Sequence, residues 1–284
     1  MPPNEAEPPR TPPVPTVVPI KNPKGREDMC LMHDLFLHVC FAYAPRCVKL
    51  VLRVVLGIRL RRIRVSRQAE VKSLEGRSVV MDFLAVDENG KRYNIEVQAD
   101  LSGADPRRPR FHLSVIDSSL LKKGRPFSSL PDAYSIFLVL GDPFNPENPR
   151  PLYVFTRRTE DGIPLGDGTA IVYVNVLYQD LNTELGRLCH DFCCSSPNKM
   201  LIPELKEIVD IIKNTPKGEE CMNSIIAKLE SEAEKRGREE GRRAMIRENV
   251  VRMLGLGKTL EDIAQSLALP QEEVRLMAEQ LRGA

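Results

Sequence analysis

Hydrophobic and polar residues alternate most regularly across residues 79–98, on both sides of a short polar turn. This period of two, rich in β-branched and aromatic residues, predicts a β-hairpin. A two-residue loop at Asn89 and Gly90 would place Asp82 and Glu96 on opposite faces of the hairpin. A three-residue loop with Gly90 in the left-handed conformation sets the two acids directly opposite each other instead.

The three-residue loop pairs Asp87 with Lys91 and sorts the hairpin into an apolar and a polar face. The apolar face then carries Met81, Phe83, Ala85, Tyr93, Ile95 and Val97. The polar face carries Asp82, Asn94, Glu96 and Gln98, beside Val80 and Leu84. Because a slip by one residue would mix the two sets, this separation favours the three-residue loop.

Two carboxylates opposite each other on neighbouring strands repel unless a positive charge lies near both. A divalent cation such as Mg²⁺ is one solution, because it takes oxygen ligands and leaves positions for phosphate and water. The other solution is a solvated sheet face whose acids pair with Lys or Arg from elsewhere. The hairpin leaves both open, although Gln98 adds a third polar group beside Glu96.

Patterning outside the hairpin predicts a mixed sheet flanked by helices. Residues 30–56 are mostly apolar and predict buried helix, with a break at Pro45. Residues 59–77 alternate basic and apolar positions and predict the first strand, either a phosphate-tracking edge or a charged edge that resists aggregation. The remaining predicted elements are a helix over 104–122, strands over 134–140, 152–156 and 170–176, and helices from 181 to about 229.

The C-terminal part is predicted to be a helical extension. Residues 230–248 are dense in opposite charges at helical spacing, which is typical of a solvated helix. Thr259 with Asp262 three residues later predicts a capped helix, followed by a turn and a second helix from Gln271. The pair is helix-turn-helix-like. The second helix is more acidic than basic, so an interaction or dimer element competes with a DNA-binding one.

Composition narrows the class of protein. The chain has 41 basic and 39 acidic residues, so contacts to nucleic acid must come from local patches. Seven cysteines without a signal-like segment predict free thiols in a reducing cytoplasm. The run at 189–194, CHDFCC, lacks the spacing of a zinc site, so buried helical thiols are expected there. The apolar runs are too short to span a membrane.

The hairpin and the segment Glu96-Val97-Gln98 resemble the signature of the PD-(D/E)XK nuclease superfamily. They are most similar to its nuclease family transposase, or recombination-promoting nuclease (Rpn-like), branch, in which Gln commonly replaces Lys. The likeness runs from about Asp34 to the C-terminus and includes RRPRFHLSVIDSSLLKKG, PLYVFTRR, LGDGT at 165–169 and the tail EDIAQSLALPQEEV. It implies an α/β (α+β), restriction-endonuclease-like αβββαβ core with a mixed sheet flanked by helices.

The resemblance also implies an activity, a Mg²⁺-dependent DNA endonuclease associated with recombination or transposition. Asp82, Glu96 and the carbonyl of Val97 would hold Mg²⁺, with Mn²⁺ as the alternative ion. Asp82, Glu96 and Gln98 would be the catalytic residues, with Gln98 orienting a water molecule. The family often starts its first helix with an acidic pair, and here Asp34 is followed by Leu35. No small-molecule cofactor is expected.

Basic residues in the first turn of the helix predicted over 104–122 are candidate DNA contacts. Arg110 matches an arginine of the family motif, and Arg107 precedes it. A phosphate contact and an ion pair with the sheet acids are equally open for Arg110. DNA is therefore the expected partner, and a homodimer through the C-terminal helices is a further expectation.

The predicted organisation has four parts. Residues 1–27 form a disordered Pro-rich tail, 28–227 a PD-(D/E)XK nuclease-like domain, 228–250 a charged helical connector, and 251–284 a helix-turn-helix-like element. A second function remains open, in which the chain is a catalytically decayed member that binds DNA or protein.

Overall fold

The computed structural model describes residues 17–19, 21–72 and 78–282. Their contacts divide the chain into two units, one ending at Met222 and the other covering Asn223–Ala284. The predicted boundary at 227/228 falls close to this division, but both lie inside one helix. The predicted domain limits therefore stay a prediction.

The first unit contains a mixed sheet of six strands within the described residues. The strands are β1 Ile63–Lys72, β2 Ser78–Asp87, β3 Arg92–Gln98, β4 Ala133–Val139, β5 Leu152–Phe155 and β6 Thr169–Asn175. Their order across the sheet is β1-β2-β3-β4-β6-β5. The first three are antiparallel, β3, β4 and β6 are parallel, and β5 is antiparallel to β6. The predicted mixed sheet with β1 at its edge is confirmed.

Helices flank this sheet. They are α1 Asp34–Tyr43, α2 Arg46–Leu56, α3 Arg107–Leu120, α4 Glu184–Cys193 and α5 Pro203–Asn214, and α6 Pro216–Gly255 starts in this unit. The order α2-β1-β2-β3-α3-β4 is the predicted αβββαβ arrangement. Pro45 lies at the start of α2, as the predicted break requires.

The hairpin of β2 and β3 has the three-residue loop that the alternation predicted. Gly90 has a φ of 85°, a left-handed conformation that costs glycine little. The N–H of Asp87 donates to the carbonyl of Lys91 over 3.2 Å, which closes the loop. The loop therefore fixes the register in which the rest of the hairpin pairs.

The two faces of the hairpin contact different helices. Phe83 stacks on His38 of α1 with ring centroids 4.7 Å apart. On the other face, α3 packs against β1, β2, β4 and β6. Met81, predicted to share a face with Phe83, keeps the same register against β1 as Phe83 and belongs to a buried cluster with Leu113 and Ile116 of α3.

A buried lysine ties the N-terminal segment to the first unit. Lys213 of α5 is 6% exposed and donates to the carbonyls of Glu27, Met29 and Ser195, the first two over 2.8 and 2.5 Å. Further upstream, the backbone of Val17 makes two hydrogen bonds with the side chain of one residue, Gln179. The described part of the predicted tail 1–27 is thus held to the unit, and residues 1–16 and 20 lie outside the described residues.

The second unit comprises the rest of α6 together with α7 Leu260–Leu267 and α8 Gln271–Arg282. Thr259 and Asp262 form the predicted capping box of α7. Ala268 ends α7 in the left-handed conformation, with φ 50°. The buried centre of this unit consists of Val250, Ile263, Ala264 and Val274. The predicted pair of short helices joined by a turn is confirmed.

The seven cysteines all lie within the described residues and form no disulfide with one another, and six of them are buried. Three come from the CHDFCC run, where α4 and its C-terminal end carry Cys189, Cys193 and Cys194. Burial raises the pKa of the Cys189 thiol to about 12, which keeps it protonated and a poor metal ligand. In the described parts of the chain, no helix is both long and apolar enough to cross a membrane.

Candidate active site

The two hairpin acids lie where the backbone pairing of β2 and β3 ends. The last Cα pair on that side is Phe83↔Ile95, and one step further Asp82 lies opposite Glu96. Side chains take over the hydrogen bonding there. The N–H of Asp82 donates to Oε1 of Glu96, and the N–H of Val97 donates to Oδ2 of Asp82, both over 3.3 Å. The predicted proximity of the two acids is therefore a feature of the structure.

Glu96 is completely buried and is held by α3. Nη2 of Arg108 lies 3.2 Å from Oε2 of Glu96, and Nδ1 of His112 lies 3.5 Å from Oε1. Arg108 and His112 are four residues apart, so one face of α3 presents both to the sheet. The positive group that the paired acids require is thus a guanidinium from the neighbouring helix.

Arg108 also reaches the third predicted residue of this face. Its Nη1 donates to Oε1 of Gln98 over 3.1 Å. A Cβ on Gly103 would lie 2.0 Å from that same oxygen, so the close approach depends on glycine. Gly103 sits in the short 3₁₀ helix Leu101–Ala104, which Tyr173 holds through a hydrogen bond to the Ala104 carbonyl.

A buried polar network continues behind Glu96. Nδ2 of Asn94 donates to Nδ1 of His112 over 2.9 Å and lies 3.3 Å from Oγ of Ser135. Since Nδ1 of His112 accepts this bond, the ring carries its proton on Nε2. Burial, assisted by the charge of Arg108, lowers the pKa of His112 to about 4, so the ring is neutral at physiological pH.

Helix α1 brings two further groups to Asp82. Asp34 and His38 lie one helical turn apart, and Nδ1 of His38 is 2.8 Å from Oδ1 of Asp34. One potential ligand atom from each of Asp34, His38 and Asp82 lies within 4.8 Å of the other two. Of the acidic pair that the family resemblance implies at the start of the first helix, the chain keeps Asp34, and His38 lies one turn further along α1.

Burial, and then neighbouring negative charge, raises the pKa of both hairpin acids. Burial, and then the charge of Asp34, raises the pKa of Asp82 to about 6. Burial, and then the charge of Asp82, raises the pKa of Glu96 to about 8, although Arg108 opposes the shift. Burial favours the neutral ring of His38, but the hydrogen bonds and charge of Asp34 outweigh it and raise its pKa.

The donor set suits a divalent ion around Asp82. Carboxylates of Asp34 and Asp82 supply hard oxygen atoms, and His38 supplies nitrogen. The backbone of Val97 faces Asp82 through its N–H, and its carbonyl points to the same side of the strand. Both oxygens of Glu96 already accept hydrogen bonds, so a metal that used Glu96 would share these oxygens with the N–H of Asp82 or the guanidinium of Arg108.

The predicted DNA contacts Arg107 and Arg110 lie apart from the acids. Both are exposed on the side of α3 that faces away from Glu96, and Arg107 is 3.7 Å from the Asp105 carboxylate. The ion pair with the sheet acids, one of the two roles left open for Arg110, is made by Arg108 instead. Arg107 and Arg110 line a cavity of about 480 Å³ together with Arg157.

No protein-family model, curated protein or solved structure matches the chain. The residues of the site therefore carry the functional argument by themselves. Sequence patterns predicted Asp82, Glu96 and Gln98 but missed Arg108 and His38. Both stand at i, i+4 spacing from another polar residue on a predicted helix, and that spacing is the signal that would have found them.

Proposed function

We propose that the chain is a Mg²⁺-dependent DNA endonuclease of the PD-(D/E)XK type, with a role in recombination or transposition. The observation that carries the proposal is the convergence of Asp82, Glu96 and Gln98 at the end of the β2–β3 pairing. The αβββαβ order of the elements supports it further. Cleavage of phosphodiester bonds is the chemistry that best uses buried carboxylates beside a partly exposed arginine.

Asp82, Glu96 and the Val97 carbonyl are the groups that would hold the ion, with Mn²⁺ as the alternative. When bound, a divalent ion supplies Lewis-acid stabilisation of phosphate charge and lowers the pKa of water. Gln98 orients the attacking water through its amide, and Arg108 fixes the Gln98 carbonyl oxygen. Since the Arg108 side chain is 40% exposed, its guanidinium would also reach the charge of a phosphate in the site.

DNA approaches over the exposed side of α3 in this proposal. Arg107, Arg110 and Arg157 line one cavity, so three cations face the same space. Contacts of arginine to phosphate position a duplex without reading its sequence. Their loss therefore weakens binding for all sequences alike and reduces its dependence on salt.

The test is a plasmid-nicking assay with Mg²⁺, with Mn²⁺ and with EDTA. Nicking that requires the ion and disappears with EDTA supports the proposal. Asp82→Ala and Glu96→Ala should abolish nicking, whereas Gln98→Lys should retain it because an ammonium also stabilises the developing phosphate charge. Glu160→Gln, at an exposed acid of the same unit, is the matched control. If Asp82→Ala nicks as fast as the parent, the site is wrong.

A second function is favoured by the Arg108–Glu96 ion pair. The buried carboxylate already has a positive partner, as it would in a decayed nuclease that binds DNA or protein without cutting. Metal titration followed by thermal unfolding separates the two, because a metal site must raise the Tm as ion is added. No change in Tm with Mg²⁺ or Mn²⁺ favours the non-catalytic function.

The second unit supports a proposed homodimer contact. Its exposed apolar side chains include Met245, Val251, Leu256 and Leu276. Apolar side chains of this kind are a recurrent feature of interfaces between subunits. Sedimentation of the full chain and of the Leu256→Glu variant tests whether these residues hold two copies together.

A further inference from the structure

A row of aromatic side chains extends from the candidate site across the sheet. Phe137 of β4 is paired with Glu96, and Tyr173 of β6 is paired with Phe137. Tyr153 of β5 is in turn paired with Tyr173. Residues paired in this way lie on one face of a sheet. Arg108, which binds Glu96, also lies over the ring of Phe137, 5.8 Å from its centroid. The aromatic row therefore begins beside the candidate site and ends at the outer strand β5.

The outer end of this row is an exposed aromatic cluster. Phe144 and Phe155 are 37% and 42% exposed, and their ring centroids lie 5.0 Å apart. The ring of Phe155 is nearly parallel to that of Tyr153, with an interplanar angle of 4° and centroids 5.8 Å apart. Both phenylalanines meet the buried ring of Tyr173 edge to face. Two large aromatic rings thus present a surface to solvent that the described residues leave partly uncovered.

The loop that carries Phe144 is held in place by one buried carboxylate. Asp142 is 3% exposed and accepts hydrogen bonds from the N–H groups of Phe144, Asn145 and Arg150 over 2.8, 3.0 and 2.8 Å. Its Oδ2 also accepts a hydrogen bond from the hydroxyl of Tyr153 over 2.7 Å. These bonds fix Phe144 relative to β5. A flat ligand would therefore meet a preformed surface, which lowers the entropic cost of binding.

Arginines flank the aromatic cluster on both sides. Arg150 lies over an aromatic ring of β5, 5.8 Å from its centroid. On the other side is the cavity of about 480 Å³ that three arginines line. Ile171 lines this cavity and is paired with Phe155, so the cavity adjoins the cluster. Two of the arginines pair with Asp105 and Asp167, which leaves the group of five charges positive. A ligand that covers the rings meets positive charge on either side.

Flat aromatic rings flanked by arginines suit single-stranded nucleic acid. Unpaired bases stack on aromatic side chains, and arginines contact the phosphates between them. Inside a duplex each base is covered by its neighbours in the stack. Exposed rings of a protein therefore stack on a base that is unpaired or that lies at the end of a duplex.

We propose that Phe144 and Phe155 form a stacking platform for unpaired bases, and that the substrate is DNA with a single-stranded segment beside the phosphodiester bond that is cut. This inference rests on the proposed function, because it names the class of DNA that the same site takes. Strand β5 lies three strand spacings from β3, or about 14 Å at about 4.8 Å each. About four stacked nucleotides at about 3.4 Å each span that distance.

The first test needs no variant. The full chain is titrated in EDTA and at low salt, so that no ion-dependent cutting occurs, and fluorescence anisotropy measures its affinity for three DNAs. They are a blunt duplex, the duplex with a single-stranded overhang of either polarity, and the same overhang made of abasic sites. The overhang should bind about tenfold more tightly than the other two. Equal affinity for the overhang and its abasic form would overturn the proposal, because the abasic form keeps the phosphates and lacks the bases.

Variants then locate the contact. Phe155→Ala and Phe144→Ala should each weaken binding of the overhang by about tenfold and binding of the blunt duplex by less than about threefold. Phe127→Ala is the matched control, because Phe127 is 80% exposed and precedes β4, whereas Phe144 follows it. It should change neither affinity. Equal losses for both DNAs in folded Phe155→Ala would show a general effect and overturn the proposal.

A fluorescent variant observes the stacking directly. The chain has no tryptophan, so Phe155→Trp introduces a single indole at the platform. A base stacked on the indole quenches its emission, so the overhang should quench it and the abasic overhang should not. Since tryptophan keeps a large aromatic ring, this variant should also retain the tight binding that Phe155→Ala loses. Emission that is unchanged by the overhang, or quenched equally by the abasic form, would count against stacking.

A second copy of the chain is the rival occupant of these rings. If the cluster is a contact between subunits, Phe155→Ala should lower the mass of the free protein in sedimentation. That result would overturn the assignment to bases, whereas an unchanged mass supports it.

The outcomes separate this proposal from the proposed function. Preference for the overhang in a protein that cuts no DNA supports the platform and counts against the nuclease. Ion-dependent nicking together with equal binding of the overhang and its abasic form supports the nuclease and overturns the platform.

Discussion

Complete burial of Glu96 leaves its carboxylate dependent on the Arg108 guanidinium. Removing one member of a buried ion pair costs several kcal/mol, because the other charge is left without a partner. Since the Arg108 side chain is 40% exposed, solvent screening reduces this cost. We expect Arg108→Ala to destabilise the protein by about 1–3 kcal/mol in urea unfolding at about pH 9, above the raised pKa of Glu96, where its carboxylate is charged.

The double variant Arg108→Ala/Glu96→Gln should recover most of that loss, because it removes the buried charge as well. Arg107→Ala is the control, at a neighbouring arginine whose side chain is 82% exposed. It should change stability by less than about 0.5 kcal/mol. A double variant as unstable as Arg108→Ala would show that Arg108 acts through packing alone.

The raised pKa values of Asp82 and Glu96 predict how stability depends on pH. Between the ordinary carboxyl range and about pH 8 the folded protein binds more protons at these groups than the unfolded chain does. Their contribution to the free energy of unfolding therefore falls as pH rises through this window. Urea unfolding at several pH values measures it, and Glu96→Gln should flatten the dependence. An unchanged slope in that variant would rule out Glu96 as its source.

The space at Gly103 predicts a change in activity with little change in stability. A methyl group there would lie 2.0 Å from Oε1 of Gln98, and the end of this side chain must move away. Gly103→Ala should therefore break the Gln98–Arg108 hydrogen bond and lower the nicking rate. The control Gly237→Ala, in α6 with nothing near its Cβ, should leave nicking unchanged and stabilise by about 0.5–1 kcal/mol.

At the scale of elements, local patterning was sufficient for the hairpin. A period of two with a left-handed glycine determines both the loop and the register, so Asp82 and Glu96 could be placed from sequence. The exception is Met81. Its packing among residues of α3 depends on how that helix crosses the finished sheet. A contact of this kind is not visible in a hydrophobic pattern.

The rotation of helix α3 about its own axis decides which of its arginines contacts the sheet. Sequence arguments placed several arginines near its start but could not choose which one faces the sheet. Arg108 shares a face with the buried His112, whereas Arg107 and Arg110 are rotated toward solvent. The phase is determined by packing against Met81 and its neighbours, a tertiary contact that helical propensity does not contain.

The contact between α1 and β2 was beyond sequence reasoning for a different reason. Asp34 and His38 precede Asp82 by more than forty positions, and their meeting depends on how the helix lies on the finished sheet. Bringing together residues this far apart costs little more free energy than closing a shorter loop, and the contact leaves no periodic pattern in the sequence. The part of the site made by the hairpin could therefore be predicted, and the part added by helices could not.

At the scale of the molecule, the charged middle of α6 predicts that the chain can be shortened before it without unfolding the first unit. Ending the chain after Ala227 removes the second unit and should leave a first unit that unfolds cooperatively. Calorimetry measures this. Ending the chain after Met200 is the control, because it also removes the buried residues Leu205, Ile208 and Ile212, and it should abolish the transition. A broad transition in the longer fragment would contradict the prediction.

The buried ammonium of Lys213 sets the other limit of a minimal fragment. A fragment starting at Cys30 would keep α1 whole but lose the carbonyls of Glu27 and Met29. Burial already lowers the pKa of this group, so in such a fragment the proton would be released more readily. We expect the fragment to be less stable at neutral than at alkaline pH, and Lys213→Met to remove that difference, as pH-dependent unfolding would show. A minimal fragment should therefore include Glu27, although α1 begins only at Asp34, because the carbonyls of Glu27 and Met29 solvate the Lys213 amine.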